Sequence, residues 1–195
     1  GRDLKLDDLM GEYQAVVIAA GAHKPEKLGI PGEDLAGVLH GVTFMRMVNL
    51  GQEVPLGRSV AVIGLGHTAV DCARSAVRLG VEDVHIIYRR TAAEAGAGED
   101  EIAEAEEEGI KFHYLTSPVR VLGSDAQRVS GLECQLNRLG EPDTGGRRRP
   151  VVISGSEFTL PIENLIPAVS QSPDLSFLPA DISLEISRWD RLVVD

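Results

Sequence analysis

Ser59-Val-Ala-Val-Ile-Gly-Leu-Gly-His-Thr-Ala-Val-Asp71 is the stretch on which the reading of this chain turns. Its first part is apolar and β-branched, breaks at Gly64, and gives way at Thr68 to an apolar period of helical type. A strand, a tight turn and a helix are therefore expected, with the spacing Gly64-x-Gly66-x-x-Ala69 across the turn. In a βα unit of this kind the first glycine makes the turn and the second lets a pyrophosphate approach the backbone. A small residue at the third position lets helix and strand pack closely. The helix N-terminus then presents unpaired N–H groups and a positive dipole end to phosphate. The stretch reads as the phosphate grip of a dinucleotide site; the alternative is a tight structural turn. His67 either touches the ligand or merely begins the helix.

Working outward, the helix is expected over about residues 68–79, with Ala69, Val70, Ala73, Ala76 and Val77 on its apolar stripe, stopped by Gly80. A second strand, Val84-His-Ile-Ile-Tyr88, follows. An acidic helix over about 99–108 and a strand over 110–115 complete a β-α-β-α-β order, which predicts a parallel sheet. Pro118 ends that regime. Short runs over about 117–161, punctuated by turn residues, read as an antiparallel meander, and residues 164–169 as a last buried strand. Upstream, residues 13–21 are expected as a buried strand and 42–50 as a helix, joined by loops rich in glycine and proline. Residues 182–195 are amphipathic.

The end of the second strand selects the cofactor. An NAD site usually carries an acidic residue there, accepting from the ribose hydroxyls. Here Arg89 and Arg90 stand in that place, while Glu82 and Asp83 precede the strand and so lie at its other end. Two guanidiniums suit the 2′-phosphate of NADP(H), onto which they can fork. The alternative is a solvated pair.

Other chemistry finds little support. The formal net charge of −11 argues against nucleic acid or an anionic membrane as the main partner. Cys72 and Cys134 form no zinc or iron–sulfur spacing, and Cys72 is expected as a buried core thiol. The run 15–22 is too short to span a bilayer, so a cytoplasmic location is the default expectation. The five histidines make no metal motif, and the acidic helix reads as a solvated face. Arg147-Arg148-Arg149 beside Gly145-Gly146 reads as a solvated turn tip, with an anion site as the lesser alternative. No Tyr-x-x-x-Lys or Gly-x-Ser-x-Gly is present. The chain shows no catalytic residues of its own and no metal site.

Further stretches carry a resemblance. They are Ala15-Val-Val-Ile-Ala-Ala-Gly-Ala22, Leu28-Gly-Ile-Pro-Gly-Glu33, His40-Gly-Val-x-Phe44, residues 60–74, Ile87-Tyr-Arg-Arg-Thr91 and Glu106-Glu-Glu-Gly109. Phe112-x-x-Leu-Thr-Ser-Pro118, Ser156-Glu-Phe158 and Pro173-Asp-Leu-Ser-Phe-Leu178 complete the set. Together they resemble the small (beta) subunit family of NADPH-dependent glutamate synthase, within the FAD-dependent pyridine nucleotide oxidoreductases. The resemblance implies two nucleotide domains, the NADPH domain inserted into the FAD domain. It implies hydride passing from NADPH to FAD and electrons onward to iron–sulfur clusters. It also places Gly64, Gly66, His67, Thr68 and Ala69 at the pyrophosphate, Arg89 and Arg90 at the 2′-phosphate, and Ala168, Val169 and Ser170 beside the nicotinamide.

The chain departs from that family pattern in several places. It has no second glycine fingerprint for FAD, no later Gly-Asp flavin motif and no cysteine-rich cluster region. Residues 92–98 lack the family's usual Arg and Met-Pro-Ala, and Ser170 stands where a glycine is usual. The expectation is a piece of a two-domain flavoprotein. Residues 1–57 would be left from the FAD side, 58–169 would form the NAD(P)H-binding domain with its meander, and 170–195 would return toward the FAD domain. FAD is expected in the parent, not in this chain. The expected partners are that FAD domain and an iron–sulfur domain or large amidotransferase-type subunit. The rival reading is a non-catalytic dinucleotide-sensing or interaction module. A stand-alone dehydrogenase is disfavoured by the missing acid–base pair.

Overall fold

The computed structural model describes residues 3–143, 145–179, 182, 184–187 and 191–193. Its elements run α1 (Leu6–Glu12), β1 (Lys24–Pro25), α2 (Gly41–Asn49), β2 (Ser59–Ile63), α3 (His67–Arg78), β3 (Asp83–Ile87), α4 (Glu99–Glu107), β4 (Lys111–His113), β5 (Thr116–Gly123), β6 (Val129–Pro142), β7 (Arg148–Val152), β8 (Phe158–Leu160), β9 (Asn164–Pro167) and β10 (Gln171–Ser172). They fall into two compact units. One is residues 27–169; the other comprises the described residues of 1–26 and 170–195.

The unit 27–169 has three layers. A parallel sheet of order β4-β3-β2-β9 lies in the middle. Its strands alternate, and the alternation sorts their side chains onto two faces. Val60, Val62, Val84, Ile86 and Ile166 join the apolar stripes of α3 and α4 and Phe44 of α2 in one core. Ala61, Ile63, Ile87 and Leu165 face the other way, onto Val121, Val129, Leu132 and Cys134 of the antiparallel sheet. Burial on both faces explains why these strands read as continuous apolar runs. Cys72 is fully buried, its thiol donating weakly to the Gly41 carbonyl at 3.7 Å, and burial pushes both cysteine thiols up to about 12.

The antiparallel layer is centred on the long β6. It pairs with β5 along one edge and with β7 and then β8 in succession along the other. The chain after β7 therefore returns to β6 instead of continuing outward, a closure the meander reading did not contain. Residues 27–57 pack within this unit, and the contact boundaries fall at 26/27 and 169/170.

The unit built from the two ends contains α1, the two-residue β1–β10 ladder and an isolated bridge between Ile186 and Leu192. The buried strand expected over 13–21 is not there: these residues form no strand, and Val17 is 88% exposed. An apolar run becomes a strand only where neighbouring strands take its backbone N–H and C=O groups. Among the described residues no strand pairs with it. Of the amphipathic terminal stretch, residues 183, 188–190, 194 and 195 lie outside the described residues.

Candidate functional site

Beyond the carboxyl ends of β2, β3 and β9 lies a cleft of about 500 Å³. In open parallel sheets ligands bind at this edge, where the strand order reverses. Here β2 is that point, with β3 on one side and β9 on the other. Gly64, Leu65 and Gly66 form the floor, Tyr88, Arg89 and Arg90 one end, and Ala168 and Val169 the other.

The two glycines serve different ends. Gly64 has φ +122°, and a Cβ there would lie 2.6 Å from the Ala168 carbonyl oxygen and 3.7 Å from the Ala69 Cβ. Gly64 thus lets the turn leave β2 against the end of β9. Its N–H donates to the Ile87 carbonyl at 3.0 Å. Gly66 precedes the first turn of α3 in extended conformation, and a Cβ on it would meet nothing within 4 Å. The space beside Gly66 is open cleft, as a close approach of phosphate to backbone requires. No side chain caps α3, so the N–H groups of its first turn are left without a side-chain acceptor.

Of the remaining fingerprint residues, Ala69 is fully buried and serves packing. Thr68 is half-buried and His67 exposed; neither lines the cleft. The His67 imidazole turns to α4, with Nδ1 2.8 Å from a Glu101 oxygen. The other demand on Glu101 is a backbone one. It accepts from the Gly98 N–H at 2.7 Å, and that bond first, then His67, holds its carboxyl below the usual range. Gly96 and Ala97 donate in turn to the Leu65 carbonyl at 2.8 and 3.1 Å, pinning loop 92–98 beside the glycine turn.

The arginines divide their work. Arg89 is exposed, lines the cleft and makes no side-chain hydrogen bond or ion pair among the described residues. Arg90 also lines it but is buried. Its Nε donates to the Arg148 carbonyl at 2.7 Å, and Nη2 lies 3.5 Å from Asp143. Arg90 therefore ties the end of β3 to the β6–β7 hairpin as well as facing the cleft. Asn137 adds a second tie, donating to the Arg89 carbonyl at 3.3 Å and to Ser117 Oγ at 2.8 Å.

Several cleft residues were not singled out from sequence. Leu28 and Ile30 come from a loop held by the buried Glu33, whose carboxylate accepts from the N–H groups of Leu28 and Gly29 at 2.6 and 2.9 Å. Thr116, Ser117 and Pro118 open β5; Arg147, from the hairpin expected as a solvated turn tip with an anion site as the lesser alternative, lines the cleft as well. Ser170 belongs to the other unit, where its carbonyl accepts from the Glu26 N–H at 3.1 Å.

The acidic helix behaves as a solvated face. Glu104 and Glu108 pair with Arg74 at 2.8 and 2.7 Å. No group of side chains among the described residues could hold a metal ion, and no helix among them is long and apolar enough to cross a membrane.

The chain is 41% identical, over 99% of its length, to NADPH-Fe(3+) oxidoreductase subunit beta of Geobacter sulfurreducens, covering 29% of that protein. It is 38% identical over its whole length to the putative glutamate synthase [NADPH] small chain of Cereibacter sphaeroides, covering 49% of it. It thus spans less than half of these relatives. Among solved structures, Mycobacterium tuberculosis FprA in complex with NADPH shares the fold, with a TM-score of 0.75 and 21% identity over 94% of this chain and 55% of that one. The family model for pyridine nucleotide-disulphide oxidoreductases matches residues 4–195. That match, over nearly the whole chain, shows that the chain belongs to the pyridine nucleotide-disulphide oxidoreductase family.

Proposed function

We propose that residues 27–169 bind NADPH in the cleft, as the donor half of a flavin-dependent oxidoreductase of the glutamate synthase small-subunit type. The observation that carries this reading is the meeting of two features on one cleft. The open backbone at Gly66 and the N-terminus of α3 lie beside β2, and the free guanidinium of Arg89 lies at the end of β3. The first suits a pyrophosphate, the second a 2′-phosphate. Ala168 and Val169 close the far end with small and apolar surface, as a nicotinamide ring would need.

When bound, NADPH supplies the hydride. This chain's own residues bind and orient it; among the described residues that line the cleft there is no acid–base pair. In the longer protein the hydride passes to FAD, held by a domain to which residues 1–26 and 170–195 belong. The gathering of the two ends into one unit supports that placement. Electrons then leave through an iron–sulfur domain or a large partner subunit. Relatives named NADPH-Fe(3+) oxidoreductase subunit beta and putative glutamate synthase [NADPH] small chain support a donor module that is used with different acceptors.

Isothermal titration of the chain with NADPH and NADH tests the reading. A charge-assisted fork onto phosphate is worth roughly 1.5–3 kcal/mol, so NADPH is expected to bind about ten to a hundred times more tightly. Arg89→Ala is expected to remove most of that preference. Equal affinities, untouched by Arg89→Ala, would overturn it.

A further inference from the structure

We infer that Arg147, in the hairpin between β6 and β7, is a third specificity-determining residue of this cleft, its guanidinium directed at the 2′-phosphate. The inference rests on the NADPH reading above and extends it to an element remote in sequence from the glycine turn.

Four observations carry it. Arg147 lines the same cleft as Arg89 and Arg90. Its side chain crosses from the hairpin to the segment after β3, where Nη2 donates to the Glu94 carbonyl at 2.8 Å and lies 3.5 Å from Tyr88 Oη. Both contacts use Nη2 and leave the Nε and Nη1 donors over, because a guanidinium carries five N–H groups. The Glu94 carboxylate does not neutralise it: one of its oxygens is held by Thr91 Oγ1 at 2.5 Å and Thr91 N at 3.1 Å.

The hairpin is also built to hold Arg147 in place. Asp143 Oδ1 accepts from the N–H groups of Gly145 and Arg147 at 2.9 and 3.0 Å, and the Asp143 N–H donates to the Arg147 carbonyl at 2.8 Å. The Arg147 and Gly145 N–H groups, with Arg90 behind them, keep the Asp143 carboxyl below the usual carboxylate range. Arg90 meanwhile spends its Nε on the Arg148 carbonyl and has a side chain only 8% exposed. It positions the hairpin more than it meets solvent. Loop 92–98, Ala-Ala-Glu-Ala-Gly-Ala-Gly, brings no cation of its own to this end of the cleft. Arg147 supplies from above the charge that the loop lacks, completing a pair with Arg89.

The test is titration of wild type, Arg147→Ala, Arg147→Gln and Arg147→Lys with NADPH and NADH, with thermal midpoints recorded for each. Arg147→Gln can keep the bond to the Glu94 carbonyl through its amide while losing the charge, which protects the experiment if Arg147→Ala does not fold. Arg147→Ala and Arg147→Gln are expected to weaken NADPH about tenfold and NADH less than twofold, with Arg147→Lys intermediate. Unchanged NADPH affinity in Arg147→Gln, or an equal fall for both nucleotides, overturns the inference. If wild type prefers NADPH and Arg147→Gln keeps that preference in full, this inference fails and the NADPH reading stands. A wild type without preference removes both.

Discussion

Gly64 and Gly66 are separated by one residue, yet alanine at each is expected to fail in a different assay. At Gly64 the backbone has φ +122°, and the new Cβ would sit 2.6 Å from the Ala168 carbonyl oxygen and 3.2 Å from its carbon. Holding a non-glycine residue in such a conformation costs roughly 1–3 kcal/mol. Pressing a methyl into backbone that cannot swing away adds roughly 1–3 kcal/mol. The narrower unfolded ensemble of alanine returns only about 0.4–1 kcal/mol. Gly64→Ala should thus lose about 3 kcal/mol net, or about 6–12 °C in thermal midpoint for a chain of this size. At Gly66 the backbone is extended (φ −105°, ψ 175°) and the Cβ meets nothing within 4 Å. Gly66→Ala should hold its stability within about 1 kcal/mol, since the poorer N-cap and the stiffer unfolded chain nearly offset each other. Its methyl instead occupies the space where phosphate approaches the backbone, so NADPH affinity should fall about tenfold or more. Thermal melting and calorimetric titration of both variants give the four numbers needed. A Gly64→Ala protein as stable as wild type refutes the steric account of the turn. A Gly66→Ala protein that binds NADPH at wild-type strength refutes the assignment of the open space to phosphate.

Glu33→Ala leaves the Leu28 and Gly29 N–H groups without their buried carboxylate, and should cost about 3 kcal/mol in urea unfolding. A loss below about 0.5 kcal/mol would mean that loop 28–30 is held by other contacts. His85 Nδ1 lies 3.0 Å from His113 Nε2, and burial, joined at His113 by the neighbouring imidazole, pushes both below the ordinary histidine range. The unfolded chain then binds more protons than the folded one once pH falls below about 6.5. Stability from this pair is complete above that value and is lost as pH falls through the lowered folded values. Urea midpoints between pH 7.5 and 5 should therefore drop more steeply in wild type than in His113→Gln; parallel profiles would dismiss the pair as a source of acid sensitivity.

The strand–turn–helix of residues 59–78 was legible because every signal in it is local. A continuous apolar run, a positive-φ turn that only glycine takes easily, and a 3.6-residue stripe of small side chains each act over a few residues. The same holds for the placement of Arg89 and Arg90 at the exit of β3 and of Glu82 and Asp83 at its entry. Residues 13–21 show where locality fails. Their composition suits a buried strand, but a strand is a property of its partners as much as of itself, and no strand among the described residues pairs with them.

The sequence by itself therefore determined a parallel βα unit with a glycine turn at Gly64 and Gly66, of the kind that suits a phosphate, and cationic side chains at the end of its second strand. The tertiary structure decided which cations face the cleft. It spent much of Arg90 on the Arg148 carbonyl, left Arg89 free, and swung Arg147 from a hairpin in the neighbouring sheet over Glu94. Contacts between such distant positions arise only when β6 and β7 fold back on the parallel layer, and no periodicity along the chain encodes where a hairpin tip will land. Arg147-Arg148-Arg149 looks the same in sequence whether it is solvated or closes a binding site. The packing of two sheets makes the difference.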